Sequence, residues 1–381
     1  MFVTALQLAD FRSYADVEVG LEAGVSVFTG ANGQGKTNLV EAVEYLSTAS
    51  SHRVSSDAPL VRMGADQAIV RGRVRAGAED DRTILLELEI NPGKANRARL
   101  NRAPVRPKEI VGALRTVVFS PLDIAIVRGD PADRRAFLDS LVVTRWPRMA
   151  GVKADYDRVL RQRNTLLKSV ARRSVHSAGA DAITTLEVWD ESLARFGAEL
   201  LHARLDTLAD VLPHARDAYA TIAPVNNEVA GEYRSSVDLA GIAGADDVRA
   251  ALTAKMLSGI EARRKDELAR GVSLVGPHRD EIALSIGPLP AKGYASHGES
   301  WSLALALRLG GFQLLRADGI EPVLVLDDVF AELDTTRRER LAEAISSAEQ
   351  VLVTAAVGAD VPDLLAGRRF TVTTGVVTPD A

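Results

Sequence analysis

The stretch that most constrains this chain is Gly30-Ala31-Asn32-Gly33-Gln34-Gly35-Lys36-Thr37, which matches G-x-x-x-x-G-K-[ST] in full. Glycines let successive backbone N–H groups turn inward on phosphate oxygens. The Lys36 ammonium is expected beside the β- and γ-phosphates of ATP, and the Thr37 hydroxyl on Mg²⁺. A helix starting near Gly35 adds the positive end of its dipole. The flanks agree with this reading. An apolar run, Val25 to Phe28, precedes the motif, and Asn38 to Leu46 reads as a helix. Strand, loop and helix in that order predict an α/β fold.

A phosphate loop needs a carboxylate for its metal, at the end of a neighbouring buried strand. Val323-Leu324-Val325-Leu326-Asp327-Asp328 has that form. Its continuous apolar run suits a strand buried on both faces. Asp327 then emerges at the strand's C-terminal end, where open α/β sheets place ligands. Asp327 is expected to hold Mg²⁺, directly or through water, and Asp328 to polarise the attacking water. The blander alternative is that the pair only caps the following helix. Lys36 and Asp327 stand near opposite ends of the chain, further apart than in compact kinases and GTPases. The guanine-reading pattern N-K-x-D is also absent.

The stretches between them divide by periodicity. Strand-like alternation marks the first third, as at Ile84, Leu86, Leu88 and Ile90, and Thr116 to Phe119 is a further short run. From about Asp130 to Ala269 the pattern is helical. Tyr156, Val159, Leu160, Leu166, Leu167 and Val170 share one face, and Leu186, Trp189, Leu193, Phe196 and Leu200 another. Two packed helices or a coiled-coil seam would both give this spacing. Strands return with Ile282, Leu284 and Ile286, the 323–326 run, and Val351 to Val353. The expected architecture is an ATPase head built from residues 1–125 and 270–381, with a helical insertion over 126–269. The 381 residues contain no cysteine, which excludes a disulfide scaffold and thiolate metal sites. No signal peptide or membrane-spanning run is visible, so a cytoplasmic location and no membrane partner are expected.

Ser296-His297-Gly298-Glu299 opens a helical run ahead of the acidic strand. It resembles the signature of ABC-type ATPases, in which Ser296 and Gly298 would meet the γ-phosphate held by another subunit. Taken together the chain resembles the RecF family of ABC/SMC-type ATPases. The likeness rests on Leu8-Ala9-Asp10-Phe11-Arg12-Ser13-Tyr14, the phosphate loop, Ser51-His52-Arg53, Phe119-Ser120-Pro121 and Arg134 to Asp139. Leu274-Val275-Gly276-Pro277-His278-Arg279-Asp280, Ser296 to Glu299 and Leu326 to Asp334 complete it. The resemblance implies slow ATP hydrolysis and an ATP-dependent homodimer. It also implies binding of single-stranded or gapped DNA and RecR- and RecO-like partners, with support for recombinase loading, replication and the SOS response. It places Arg12 near the nucleotide and Glu332-Leu333-Asp334 in a dimer-facing loop. Three positions depart from the ABC pattern. Asp328 stands in place of a glutamate, Ala355 in place of a histidine that senses the γ-phosphate, and His297 in place of a glycine.

The net charge is −5, yet residues 145–175 hold nine basic side chains against Asp155 and Asp157. With the family in view, Arg158, Arg161, Arg163, Arg172 and Arg173 are expected to contact DNA phosphates. A solvated helix face is the competing reading. Three other functions are consistent with parts of the sequence. A transporter-type ATPase subunit would share the motifs. An SMC-like bridge would need an arm longer than this insertion can build at about 1.5 Å per residue. A small-molecule kinase would need an acceptor pocket, and no motif identifies one.

Overall fold

The computed structural model describes residues 1–54, 56–77, 79–172, 180–223 and 228–380. In chain order it runs β1 (Phe2–Phe11), β2 (Tyr14–Gly20), β3 (Gly24–Thr29), α1 (Lys36–Thr48), β4 (Ala68–Gly77) and β5 (Asp80–Ile90). Then come β6 (Arg97–Leu100), β7 (Ala103–Val105), α2 (Pro107–Ile110), β8 (Thr116–Phe119), α3 (Ile124–Arg128) and α4 (Pro131–Arg145). The middle holds α5 (Met149–Arg172), α6 (Ala180–Ile222), β9 (Val229–Arg234), α7 (Val248–Arg270), β10 (Glu281–Ile286), β11 (Leu289–Pro290) and α8 (Ala291–Tyr294). The chain ends with α9 (His297–Ala317), β12 (Val323–Asp327), α10 (Thr335–Ile345), β13 (Gln350–Ala355), β14 (Arg368–Thr373) and β15 (Val376–Pro379). These elements form two units. One comprises Met1–Ile124, Pro213–Glu228 and Ser296–Ala381, and the other Ala125–Leu212 and Val229–Ala295.

The first unit holds two six-stranded sheets, ordered β15-β14-β3-β13-β12-β8 and β2-β1-β4-β5-β6-β7. In the former, β14, β3, β13, β12 and β8 run parallel, and the apolar runs of the central β12 and β13 fit burial on both faces. The latter is antiparallel and alternates. Leu86, Leu88 and Ile90 of β5 are buried while Leu85, Glu87 and Glu89 are partly exposed. Leu39, Val40, Val43 and Leu46 of α1 join one core with Val70, Leu86 and Leu88 of the antiparallel sheet and with Val325, Leu352 and Phe370 of the parallel one.

The second unit packs α5, α6 and α7 around Tyr156, Val159, Leu193, Leu201, Leu252, Met256 and Ile260. It is not purely helical, because β9, β10 and β11 form a three-stranded sheet. This corrects the expected boundary at residues 269 and 270. Segment 270–295 belongs here, since β10 pairs with β9 from Glu281↔Arg234 to Ile286↔Val229. Arg134 of α4 adds a twin-pronged ion pair to Glu281, at 2.7 and 2.9 Å. Conversely, residues 213–228 belong with the first unit.

A second correction concerns Arg163. It is fully buried, not a solvated phosphate contact. Its guanidinium donates to Asp190 (2.6 Å), Glu267 (2.6 Å) and the Ser273 hydroxyl (2.7 Å). A buried arginine needs such a set of acceptors to offset its lost hydration. Arg158 and Arg161 are exposed, and Arg158 pairs with Asp155 at 2.8 Å. Arg173 lies outside the described residues, as does the side chain of Arg172. The motif Gly276 to Asp280 closes the same unit. Buried Asp280 accepts from Tyr233 (2.8 Å) and from Ser236 N–H (2.7 Å). His278 Nε2 lies 3.2 Å from the Ser273 carbonyl, which can only accept, so Nε2 carries the proton. Nδ1 then accepts from the buried Tyr156 hydroxyl at 2.6 Å.

Two outcomes follow from these buried groups. Arg163→Met is expected to destabilise the protein by about 3–5 kcal/mol in urea unfolding, because Glu267 loses its arginine inside the unit and Asp190 is left with Arg264. Arg158→Ala should cost less than about 0.5 kcal/mol. Burial, together with the nearby arginines, pulls the His278 imidazole from 6.5 down to about 4. The unfolded chain therefore binds a proton between these values that the folded chain refuses. The His278 contribution is complete above about pH 6.5 and is lost as pH falls toward 4. The difference in stability between wild type and His278→Asn should shrink over that interval. A difference that stays constant with pH would contradict this account.

Candidate functional site

The phosphate-loop geometry follows from its glycines. Gly30 has φ +151°, and a Cβ there would lie 2.3 Å from the Val372 carbonyl oxygen. Gly35 has φ +109°, and a Cβ there would meet Ser13 Oγ at 2.8 Å and Tyr14 Oη at 2.9 Å. No other residue type fits these positions without displacing its neighbours. The segment Arg12-Ser13-Tyr14 thus packs against the loop. Buried Tyr14 donates its hydroxyl to the Gly35 carbonyl (3.1 Å), and Asn38 donates to Ser13 Oγ (3.0 Å). Gln34 accepts from Thr374 beyond β14 at 2.8 Å.

Lys36 is buried, and its ammonium donates to the carbonyls of Gly30 (2.7 Å) and Ala31 (3.0 Å). Burial lowers its pKa, and Asp328 and Asp327 oppose that shift. Thr37 opens α1 and donates to Asp327 Oδ1 at 2.9 Å across 290 positions of sequence. The parallel register explains the meeting. Strand β13 lies between β3 and β12, pairing Thr354 with Phe28 on one side and with Asp327 on the other. Their C-terminal ends therefore open at one edge of the sheet.

That intervening strand supplies a residue that motif reading did not find. Thr354 is fully buried and donates to Asp327 Oδ1 at 2.6 Å. The Asp328 N–H reaches both the Thr354 hydroxyl (3.0 Å) and its carbonyl (3.2 Å). Asp328 sits at φ +53°, a conformation unfavourable for a residue with a Cβ. Thr354 thus holds both acidic residues, one by its carboxylate and one by its backbone. Burial, then the neighbouring Asp327 charge, raises the Asp328 pKa despite Lys36. A raised carboxylate is a better proton acceptor near neutral pH. Thr37 and Asp327 present hard oxygen donors, the set that suits Mg²⁺ completed by phosphate and water. Among the described residues no group of three or more His, Asp or Glu side chains could hold a metal on its own.

Arg12 does not join this cluster. Its guanidinium is bound to the fully buried Glu41 carboxylate (2.9 and 2.5 Å) and to the Pro59 carbonyl (3.0 Å). Glu41 lies one helical turn beyond Thr37 and also accepts from Ser51 (2.6 Å) and Arg53 (2.8 Å). The motifs around Arg12 and Ser51 therefore converge on α1 beneath the loop. Ser296 and Gly298 head α9. Ser296 Oγ accepts the Glu299 N–H at 3.2 Å, and Glu299 returns the bond to the Ser296 N–H at 2.9 Å. This capping box is exposed to solvent. Among the described residues none of its hydrogen bonds reaches the phosphate loop. Glu332 and Asp334 are exposed, and Asp334 caps α10 by accepting the Arg337 N–H at 3.0 Å.

Replacing Thr354 by valine keeps its shape and removes its hydroxyl. The expected result is at least about tenfold slower Mg²⁺-dependent ATP hydrolysis and a higher Mg²⁺ requirement, with nucleotide binding retained. Thr354→Ser should restore both. A magnesium titration of hydrolysis in the two variants measures this.

The comparisons with known proteins agree with this architecture. The family model described as the RecF/RecN/SMC N terminal domain matches residues 2–361. The chain is 64% identical over 386 residues to the "DNA replication and repair protein RecF" of Cutibacterium acnes, covering 99% of this chain and 98% of that one. It is 60% identical over 378 residues to the protein of the same name from Streptomyces avermitilis, covering 99% of each. A solved structure of "the recombination mediator protein RecF-ATP in RecFOR pathway" superposes with a TM-score of 0.88 at 27% identity, covering 100% of this chain and 98% of that chain. An Smc head domain from Pyrococcus furiosus, at 16% identity and a TM-score of 0.54, shares the fold. The α/β fold is thus that of an ABC-type P-loop ATPase head assembled from N- and C-terminal segments around an inserted unit, and the chain belongs to the RecF family.

Proposed function

We propose that this protein binds and slowly hydrolyses ATP in order to clamp DNA during replication and recombinational repair. The observation that carries the reading is the junction of Thr37, Asp327 and Thr354, which joins the phosphate loop to the acidic strand. In this reading residues Gly30, Ala31, Asn32, Gly33, Gln34 and Gly35 cradle the phosphates through their backbone, and Lys36 neutralises the β- and γ-phosphates. Thr37 and Asp327 hold Mg²⁺, which would offset phosphate charge when bound. Asp328 accepts the proton of the attacking water. The relatives named for DNA replication and repair and the solved RecF-ATP structure support this assignment.

The exposed helix start at Ser296 and Gly298 suits a second role. Backbone N–H groups and a positive helix end facing solvent can receive the γ-phosphate held by another copy of the chain. ATP would then join two heads and hydrolysis release them. Single-stranded or gapped DNA is the proposed substrate, with RecO- and RecR-like proteins as partners in recombinase loading and the SOS response. The location would be cytoplasmic, in keeping with the finding that no helix among the described residues is long and apolar enough to cross a membrane.

Mass in solution with and without ATP, each with and without gapped DNA, tests the reading. ATP should convert monomer to dimer. Lys36→Ala should abolish nucleotide binding, whereas Ser296→Arg should block dimerisation and leave binding intact. An unchanged mass on adding ATP would refute the clamp.

A further inference from the structure

The start of α9 has a neighbour that no sequence motif names. Gly298 lies in the first turn of that helix, and its φ is outside the left-handed region. Backbone freedom therefore does not require a glycine there, and inside a helix glycine is less favourable than alanine. The reason is spatial. A Cβ at this position would lie 3.4 Å from Arg337 Nη1 and 3.8 Å from Arg337 Nη2. The side chain that Gly298 lacks leaves room for a guanidinium arriving from the first turn of α10. Both helices belong to the first unit.

Arg337 is held there loosely. Its Nη1 lies 3.1 Å from Asp334 Oδ2, with the arginine side chain 32% exposed and the aspartate 56%. An ion pair this exposed is weak, so the guanidinium can exchange Asp334 for a stronger anion. Among the described residues it has no other ion pair. A second observation lies at the same place. Tyr219, on the part of α6 that belongs to the first unit, is fully buried, and its hydroxyl has no hydrogen-bond partner among the described residues. Burial raises its pKa, and the charges of Glu299 and Arg337 both reach it. An orphaned buried hydroxyl marks an arrangement that another group completes. Glu299, Glu332 and Asp334 also place negative charge around these helix starts, which opposes an incoming phosphate. Arg337 is a cation placed to offset it.

We infer that Arg337 is a further catalytic residue of the ATPase, reaching past Gly298 to the γ-phosphate of ATP held by a second copy of the chain. The inference rests on the trans reading of Ser296 and Gly298 above and deepens it. The helix end supplies partial positive charge, and Arg337 supplies a full one that stays protonated. In the reaction, water adds to the γ-phosphorus and gives its proton to Asp328 of the copy that binds the nucleotide. The bond from that phosphorus to the β–γ bridging oxygen breaks, and ADP leaves. Negative charge is spread over the non-bridging oxygens during this step. Arg337 donates hydrogen bonds to those oxygens and exchanges no proton.

The test uses the full chain with ATP and Mg²⁺, reading mass in solution and phosphate release. Arg337→Met keeps the apolar stem and removes the charge. It should slow hydrolysis at least about tenfold and raise the ATP needed for half-maximal dimerisation, with nucleotide binding to the monomer retained. Arg337→Lys, which keeps a charge without the fork, should recover part of both losses. If Arg337→Met matches wild type, or if Arg337→Lys is no better than Arg337→Met, the inference is wrong. Mixing locates the residue. Lys36→Ala supplies Arg337 and Arg337→Met supplies the phosphate loop, so the mixture should hydrolyse ATP faster than the sum of the two alone. Absence of any gain would overturn the trans assignment. If Arg337→Met folds poorly, phenylglyoxal labelling of wild-type protein, read by mass spectrometry, decides the matter. ATP should protect Arg337 in wild type but not in Ser296→Arg, and undiminished labelling in the ATP-bound dimer would overturn the inference. A wild-type chain that stays monomeric with ATP removes the clamp reading and this inference together. A wild-type chain that dimerises, beside an Arg337→Met variant of normal activity, removes this inference alone.

Discussion

The parallel pairing of β3, β13 and β12 is the constraint on which the site depends. Each strand is short and buried, and each ends at the same edge of the sheet. That common edge converts positions at opposite ends of the chain into neighbours: Thr37 after β3, Thr354 at the end of β13, and Asp327 at the end of β12. A one-residue slip in either pairing would turn the terminal side chains to the other face. The apolar runs that bury these strands are therefore also what aligns the carboxylate with the hydroxyl.

Around that edge the structure commits few charges without partners. Glu41 gathers Arg12, Ser51 and Arg53 on α1, so residues from two loops brace the helix that starts at the phosphate loop. Asp328 is held in a strained conformation by two bonds to Thr354, and its carboxylate remains half-buried beside Asp327. Holding a carboxylate in place while its ionisation is disfavoured raises its affinity for a proton. The second unit uses buried charge differently. Arg163, Asp190, Glu267 and Ser273 form a hydrogen-bonded set among α5, α6 and α7, extended by Arg264 on Asp190 and Asn164 on Ser273. Such sets add little net stability over an apolar core, but losing one member is costly.

The contrast between Arg163 and its neighbours shows where sequence reading succeeds and fails. A run of basic residues suggested one solvated surface. Helical spacing says otherwise, because position 163 falls on the stripe of Tyr156, Leu160, Leu167 and Val170, while 158 and 161 fall off it. That spacing is legible in the sequence, whereas a count of charges carries no information about which face each one occupies. Thr354 gave a weaker signal, a hydroxyl at the end of a buried run. Its importance depends on which strands flank β13, and strand order is not written in local pattern. The alternation at Ile282, Leu284 and Ile286 announces a strand, but not that its partner is β9, which makes both part of the second unit.

Local chemistry in the sequence determined the phosphate loop, the buried strands and the helical middle, because glycine conformations, apolar runs and periodicity act over a few residues. The tertiary structure alone decided that Thr354 bridges the two acidic residues, that Arg163 meets Asp190 and Glu267, and that Arg12 serves Glu41. Each of these depends on register and strand order between distant segments. Those are chosen by the burial of whole surfaces rather than by any neighbouring residue.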